Sequence, residues 1–332
     1  MISVIVLNWN GKEYLARCFD SLRNQSFRDF EVYMIDNGSY DGSVDFVRKN
    51  YPEIKIITLK ENVGFARGVN KGIKSSAGEF IALLNNDTEV ESKWLEELYS
   101  GIREDSKIGI CASKMLFYYK KDIINAAGDM YRADGVPDNI GIGEKDVGQY
   151  NEKRFVFGAC AGAALYRRAM FEDIGLFDED YFEAVEDADL SFRAQLRGYK
   201  CLYNPKAVVY HVHMGTAEKF KELRFENTLL NRLRTLIKNM PLSVFGGNFF
   251  WIFLTHLAEF FAVMLNPIKS FKMKKAYFKA YFKIIKEIPR LLKKRKQVQK
   301  DKRVSDRYIS SILAPMSFSY YFNLFEKFTK RA

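Results

Sequence analysis

The chain has 332 residues, 48% of them apolar and 28% charged, with a formal net charge of +11 and a mean hydropathy of −0.23. That is enough apolar chain for one large core or two modest ones, and it excludes a disordered or collagen-like protein. The four cysteines, Cys18, Cys111, Cys160 and Cys201, stand apart with no CxxC pair, which argues against a disulfide framework or zinc cluster and fits a reducing compartment.

The amino-terminal MISVIVLNWNG has no basic leader and no cleavage site, so it reads as a first strand and the expected location is the cytosol. Apolar residues at helical spacing follow (Leu15, Cys18, Phe19, Leu22). A second strand over 31–35 ends in Asp36, and a helix runs on through Lys49. A third strand over 54–59, a helix after NVGFARG ending near Gly78, and a fourth strand in FIALLNNDTEV complete an alternating β/α half. Such alternation predicts a mostly parallel sheet with right-handed crossovers.

In open parallel sheets ligands bind beyond the carboxyl ends of the strands, which makes Asp87, at the end of the fourth strand, a position for substrate or metal. Turn or capping duty is the plainer reading of such an Asp. Asp36 either accepts from a nucleotide base or ribose or caps the following helix. The turn from Asn62 through Gly64 to Arg67 has the small residues and the guanidinium of an anion site, though it is neither a Walker loop nor GxGxxG.

From 113 to 153 the periodicity weakens in a Gly- and Asp-rich stretch, which predicts a long substrate lid or insertion. Order returns with a strand through Phe157, a small-residue turn from Gly158 to Gly162 and a helix starting near Arg168. Glu183, Glu186, Asp187 and Asp189 then crowd the first turn of a helix that packs through Leu190, Phe192 and Leu196. Capping and the helix dipole account for one or two of these acids. Crowding and burial would raise at least one carboxylate pKa, which suits a general base. A strand over 200–210 ends in His211-Val212-His213, a pair that points modestly toward a metal.

Taken in order, VIVLNWNG, IDNGSYDGS, NVGFARGVNKGI, LLNNDTEV, FGACAGAALYRR, IGLFDEDYF, VEDADLSFRAQLRGY and VVYHVH resemble an inverting family 2 glycosyltransferase of GT-A fold. The pattern is most similar to bacterial rhamnosyltransferases of cell-surface polysaccharide assembly. The resemblance covers 1–215 and implies a GT-A catalytic domain there, with a helical region over 216–332. It implies a nucleotide-diphospho-sugar donor, dTDP-rhamnose first, held by Asn8, Asn10, Asp36, Asn62, Gly64, Arg67, Asn85 and Asn86. UDP-galactofuranose, UDP-glucose and UDP-N-acetylhexosamine are the alternative donors, and a non-catalytic sugar-nucleotide-binding protein is the alternative role.

Asn85-Asn86-Asp87 falls on the family's DxD element with Asn85 in place of the first Asp. The resemblance therefore makes Asp87 and His211, with His213 second to it, ligands of a divalent cation, Mg2+ or Mn2+, short of one carboxylate. Asp187 takes the place of the base. Gly158, Ala159, Cys160, Glu186 and Asp189 are expected on the acceptor side, facing a lipid-linked or polysaccharide acceptor.

Charge divides the chain unevenly, net −6 over 1–215 and +17 over 216–332. The apolar run 242–265 is long enough to span a bilayer, but Asn248, His256 and Glu259 interrupt it and Gly246-Gly247 breaks its start, which predicts an interfacial helix pair. Beyond Pro267, Ile268, Phe271, Phe278, Phe282 and Ile285 lie among 15 Lys and Arg against two acids over 269–303. This is the pattern of a basic helix on an anionic membrane, so the expectation is a peripheral protein on the cytoplasmic face that does not bind nucleic acid.

Overall fold

A computed structural model describes residues 1–212, 221–265 and 271–318. His213, Pro267 and Ile268, singled out above, lie outside the described residues.

The β/α half forms as the periodicity predicts: β1 (Ile2–Asn8), α1 (Lys12–Arg23), β2 (Phe30–Asp36), α2 (Ser43–Asn50), β3 (Lys55–Thr58), α3 (Phe65–Ser75) and β4 (Phe80–Asn85). β1 pairs in parallel with β2 and with β4, and β2 with β3. β5 (Thr88–Val90), α4 (Trp94–Ile102), β6 (Ile108–Phe117) and β7 (Lys120–Ala127) follow, then β8 (Asp129–Tyr131), β9 (Pro137–Asn139) and β10 (Arg154–Val156). The sheet-bearing part of the chain closes with β11 (Ala163–Arg167), α5 (Arg168–Ile174), α6 (Glu186–Arg197) and β12 (Lys200–His211).

The main sheet has ten strands in the order β10-β12-β6-β11-β4-β1-β2-β3, with β5 added to β12 and β7 to β6. β11 runs antiparallel between β4 and β6, so the sheet is parallel in its first half and mixed in its second. Both faces are covered, as the continuous burial of β4 requires. One core layer holds Leu15, Trp94 and Leu98, the other Ile73, Met170 and Leu190.

The long lid expected over 113–153 is not a loop. β6 extends to Phe117 and turns into β7, and β8 pairs with β9. Gly128, Gly135, Gly141, Gly143 and Gly148 all have positive φ, so the glycines make tight reversals between short strands. Those strands are too short for apolar alternation to register.

Four further helices complete the described chain: α7 (Lys221–Asn239), α8 (Leu242–Met264), α9 (Phe271–Lys300) and α10 (Asp306–Ile312). They share a core with the first part, since Leu236, Met240 and Ile309 pack with Tyr131, Phe157 and Phe192. α8 is one continuous helix and not a pair. The expected break at Gly246-Gly247 is absent: both glycines lie within the first two turns of the helix, and a Cβ at either would meet nothing within 4 Å. Two of the polar residues that interrupt the run face the protein, Glu259 pairing with Arg232 Nη1 at 2.6 Å and His256 Nδ1 meeting Tyr281 Oη at 2.9 Å, while Asn248 Nδ2 donates to Val244 O of its own helix at 2.8 Å.

Candidate active site

Strand register gathers the predicted residues at one rim. Asn8 lies opposite Asp36, and Leu7 opposite Asn85, so β1, β2 and β4 deliver their polar ends together. Asn8 Nδ2 donates to Asp36 Oδ1 and to Ser39 Oγ, both at 3.2 Å, while Asn8 Oδ1 accepts from Asn86 Nδ2 at 2.7 Å. Fully buried, with both amide hydrogens used, Asn8 organises the rim from beneath, which corrects its expected place on the donor.

Asn10 takes φ 50°, and its Oδ1 accepts from Tyr40 N at 2.9 Å. Asn62 Oδ1 accepts from Asn37 Nδ2 and from Gly64 N, both at 2.9 Å, so the Asn62 to Gly64 turn is tied to the end of β2. Gly64 is required: at φ 86° a Cβ would lie 2.4 Å from Phe182 O. Arg67, one turn into α3, is exposed and 3.8 Å from Glu179 Oε2.

At the centre of the rim, β5 folds Asp87 back against the end of β12. Asp87 Oδ1 lies 3.2 Å from His211 Nε2, and Val212 N donates to Asp87 O at 3.0 Å. His211 Nδ1 meets Asn125 Oδ1 at 2.9 Å, and a carboxamide oxygen only accepts, so Nδ1 is the donor there and Nε2 is the ring nitrogen that faces Asp87. Asn85 Nδ2 is 3.5 Å from the same Nε2. A carboxylate oxygen and an imidazole nitrogen side by side form a pair that a divalent cation fits, with the remaining positions left to substrate oxygens and water. Among the described residues no group of three or more His, Cys, Asp and Glu side chains gathers for a metal.

The start of α6, with Asp187, adjoins this centre through the turn before β11. Asn85 N donates to Gly162 O at 2.8 Å, and one residue earlier Ala161 N donates to Asp187 Oδ2 at 3.2 Å. Asp187 Oδ1 also accepts from Ala188 N at 2.8 Å. Burial pushes the Asp187 pKa up despite these backbone donors. Burial, then the Asp187 charge, pushes Glu186 to about 8, and Glu186 Oε2 is buried with no hydrogen-bond partner among the described residues.

A further carboxylate joins them. Asp129, at the start of β8, accepts from Asn139 Nδ2 at 2.6 Å, and burial followed by the Asp187 charge raises its pKa well above the ordinary carboxylate range. Sequence reasoning missed Asp129 because it sits in the Gly- and Asp-rich stretch read as a loop, and it missed Asn125 for the same reason. Nothing in the local pattern marks either.

Three expected acceptor-side residues are corrected. Asp189 is fully buried and held by Lys238 Nζ at 2.7 Å, Arg193 Nε at 3.0 Å and Asn239 Nδ2 at 2.8 Å. Burial alone would raise its pKa, but the two cations outweigh it and lower it. Gly158 lets α6 approach, since a Cβ there would lie 2.4 Å from Ser191 Oγ, and Ala159 is core. Cys160 alone of that turn's three is half-buried, and burial, then the charges of Asp129 and Asp187, raises its thiol pKa.

A family model described as Glycosyl transferase family 2 matches residues 3–175, just over half of the chain. The chain is 26% identical over 253 residues to "Glycosyltransferase GlyA" of Streptococcus pneumoniae serotype 4, an alignment covering 72% of this chain and 35% of that protein. It thus spans about a third of that relative's length. Among solved structures, S. aureus TarS 1-349 matches with a TM-score of 0.59 at 16% identity, covering 94% of this chain and 89% of that one. The mannosyltransferase PcManGT from Pyrobaculum calidifontis, in complex with GDP-Man and Mn2+, matches with a TM-score of 0.54 at 16% identity, covering 90% of this chain and 85% of that one. At such identities the likeness is one of fold, and the fold is GT-A.

Proposed function

This chain belongs to glycosyl transferase family 2, and from that premise we propose that it is an inverting sugar transferase with Asp187 as its general base. The observation that carries the reading is the adjacency of Asp187 to the Asn85-Asn86-Asp87 rim across the 158–162 turn. The acceptor hydroxyl oxygen attacks the anomeric carbon of a nucleotide-diphospho-sugar, the bond from that carbon to the diphosphate oxygen breaks, and the hydroxyl proton passes to Asp187. One carboxylate suffices for a single displacement, in contrast to the pair a glycosidase uses. Glu186, with its pKa at about 8, keeps its proton near neutrality and leaves the negative charge on Asp187.

Asp87 and His211 would hold the divalent cation, Mg2+ or Mn2+. Bound there, it supplies charge neutralisation for the departing diphosphate. Asn10, Asp36 and the Asn62 to Gly64 turn line the end of β2 where base and ribose would lie, and Asn85 and Asn86 stand between that end and the diphosphate.

For the donor we put dTDP-rhamnose first on the order of the sequence motifs, and a lipid-linked saccharide as acceptor. None of the three relatives described above is named as a rhamnosyltransferase, so the screen includes UDP-galactofuranose, UDP-glucose, UDP-N-acetylhexosamine and GDP-mannose. Thermal shift with each donor, with and without Mg2+ or Mn2+, identifies the ligand; one donor stabilising only with metal is the expected result. Asp187→Asn should then lower turnover about 1000-fold with donor binding intact. Wild-type turnover in that variant removes Asp187 from the role, and donor binding without turnover in the native chain favours the non-catalytic reading.

We place the acceptor side at an anionic membrane, on the cytoplasmic face, because α8 leaves several phenylalanines uncovered while its charged residue finds a partner within the protein. Phe249, Phe250, Phe253 and Phe261 face outward while Glu259 and His256 face the protein, and the exposed Phe278, Phe282 and Ile285 of α9 lie among lysines. By length and composition α8 could also cross a bilayer. Each basic residue near an anionic surface adds roughly 1 kcal/mol of attraction. Flotation with phosphatidylglycerol vesicles at low salt, lost in Phe249→Ser/Phe253→Ser without change in Tm, is the expected result. A native protein that never floats overturns this placement.

A further inference from the structure

We infer that Asn231 of α7 is a positioning residue for the base: its carboxamide holds Ala184 and Val185 in left-handed backbone and so aims Asp187 at the rim. The inference rests on the reading of Asp187 given above. It draws on a part of the chain beyond the family match, which ends at residue 175.

Among the described residues, Asn10, Ala184 and Val185 are the non-glycine positions with positive φ. Asn adopts that region readily, whereas a β-branched valine does so only under constraint. Ala184, at φ 65°, and Val185, at φ 70°, immediately precede Glu186 and Asp187, so their conformation sets where α6 starts and where its first-turn side chains point. Something must hold them there.

Asn231 is that constraint. It is buried, and its Nδ2 donates to Glu183 O and Ala184 O, both at 2.9 Å. Its Oδ1 accepts from Arg234 Nη1 at 2.8 Å, and the same nitrogen donates to Asp180 O at 2.6 Å, which fixes the orientation of the carboxamide. From the opposite side Phe65 N, at the start of α3, donates to Phe182 O at 2.6 Å. The 180–185 segment is therefore gripped between the donor rim and α7. The polar residues that do this on α7, Asn227, Asn231 and Thr235, recur every fourth position on one helix face.

Asn231→Asp keeps the size of the side chain but sets a carboxylate oxygen against two carbonyls. Expected is a fall in kcat of about 100-fold, the effect of displacing a reacting group by about 1 Å, with the KM and thermal shift of the donor nearly unchanged. Should Asn231→Asp fail to fold, Asn231→Ala carries the same test. In that background Val185→Gly should restore part of kcat, because glycine takes positive φ without strain and no longer needs the clamp. A wild-type kcat in Asn231→Ala, a loss matched by equal loss of donor binding, or no recovery with Val185→Gly overturns the inference. Asp187→Asn assayed in parallel keeps the two readings apart. Wild-type turnover there overturns the base itself, whereas an inactive Asp187→Asn beside a fully active Asn231→Ala overturns the positioning role alone.

Discussion

The donor half of the rim and the base half are held by different physics. On the donor half neutral amides join end to end: Asn8 to Asn86, Asn37 to Asn62, with Asp36 the carboxylate that the chain closes on. These groups sit at the ends of parallel strands, and strand register alone brings them together. On the base half buried charges do the work. Lys238 Nζ lies 2.5 Å from Asp178 and 2.7 Å from Asp189, Lys294 joins Asp178 at 2.6 Å, and Glu186 and Asp129 keep raised pKa values beside Asp187. Neutral amides hold geometry at modest net energy and at any pH. Buried ions make it costly to disturb and sensitive to protons.

The comparison is broken or sharpened first at Lys238, which is almost wholly buried against two carboxylates. Lys238→Met removes the cation they share, leaving Asp178 to Lys294 and Asp189 to Arg193, and should cost about 3–5 kcal/mol in denaturant unfolding. Asn37→Ala, in the amide chain, should cost only about 1–3 kcal/mol, the penalty of leaving its buried partner unsatisfied. Equal losses at the two sites would mean that the halves do not differ in the way described. Next in size is the cation site between the halves. Asn125→Ala removes the acceptor that fixes the His211 tautomer and should weaken Mn2+ binding, read by calorimetry in the presence of nucleoside diphosphate, about 10- to 100-fold. Unchanged affinity would detach His211 from the metal.

The same contrast explains what the sequence could reveal. Asp36 and Asp87 are legible because each ends an apolar strand, and parallel pairing then determines their neighbours. Asp187 and Asp189 are two residues apart in one acidic cluster, yet one faces the rim and the other the interior. The local cue was Arg193, four residues beyond Asp189 and paired with it, but Lys238 comes from a helix whose docking no local pattern encodes. Asn231 was illegible for the same reason. α8 was misread because a polar residue interrupts an apolar helix only where it lacks a partner; here His256 and Glu259 find theirs in Tyr281 and Arg232, while Phe249, Phe250, Phe253 and Phe261 stay exposed.

The pH dependence tests whether the half that carries Asp187 is indeed the proton-sensitive one. Glu186 is pushed from an ordinary 4.5 to about 8, by burial first and by the Asp187 charge second. Between those two values the folded chain keeps a proton that the unfolded chain has released, so this group's contribution is fully present below about pH 4.5 and is lost as pH rises through about 8. Glu186→Gln stays neutral throughout. Its Tm should match the native protein near pH 5 and exceed it near pH 9 by several degrees, the difference between 4.5 and about 8 being worth roughly 5 kcal/mol. Asn37→Ala should show no such pH dependence, because its partners are amides. A Glu186→Gln difference that is equally large at both pH values would assign the gain to packing and remove the proton from the account; a difference that grows with pH while Asn37→Ala stays flat would place the protein's alkaline sensitivity at the base itself, where ionisation of Glu186 adds a second negative charge beside Asp187.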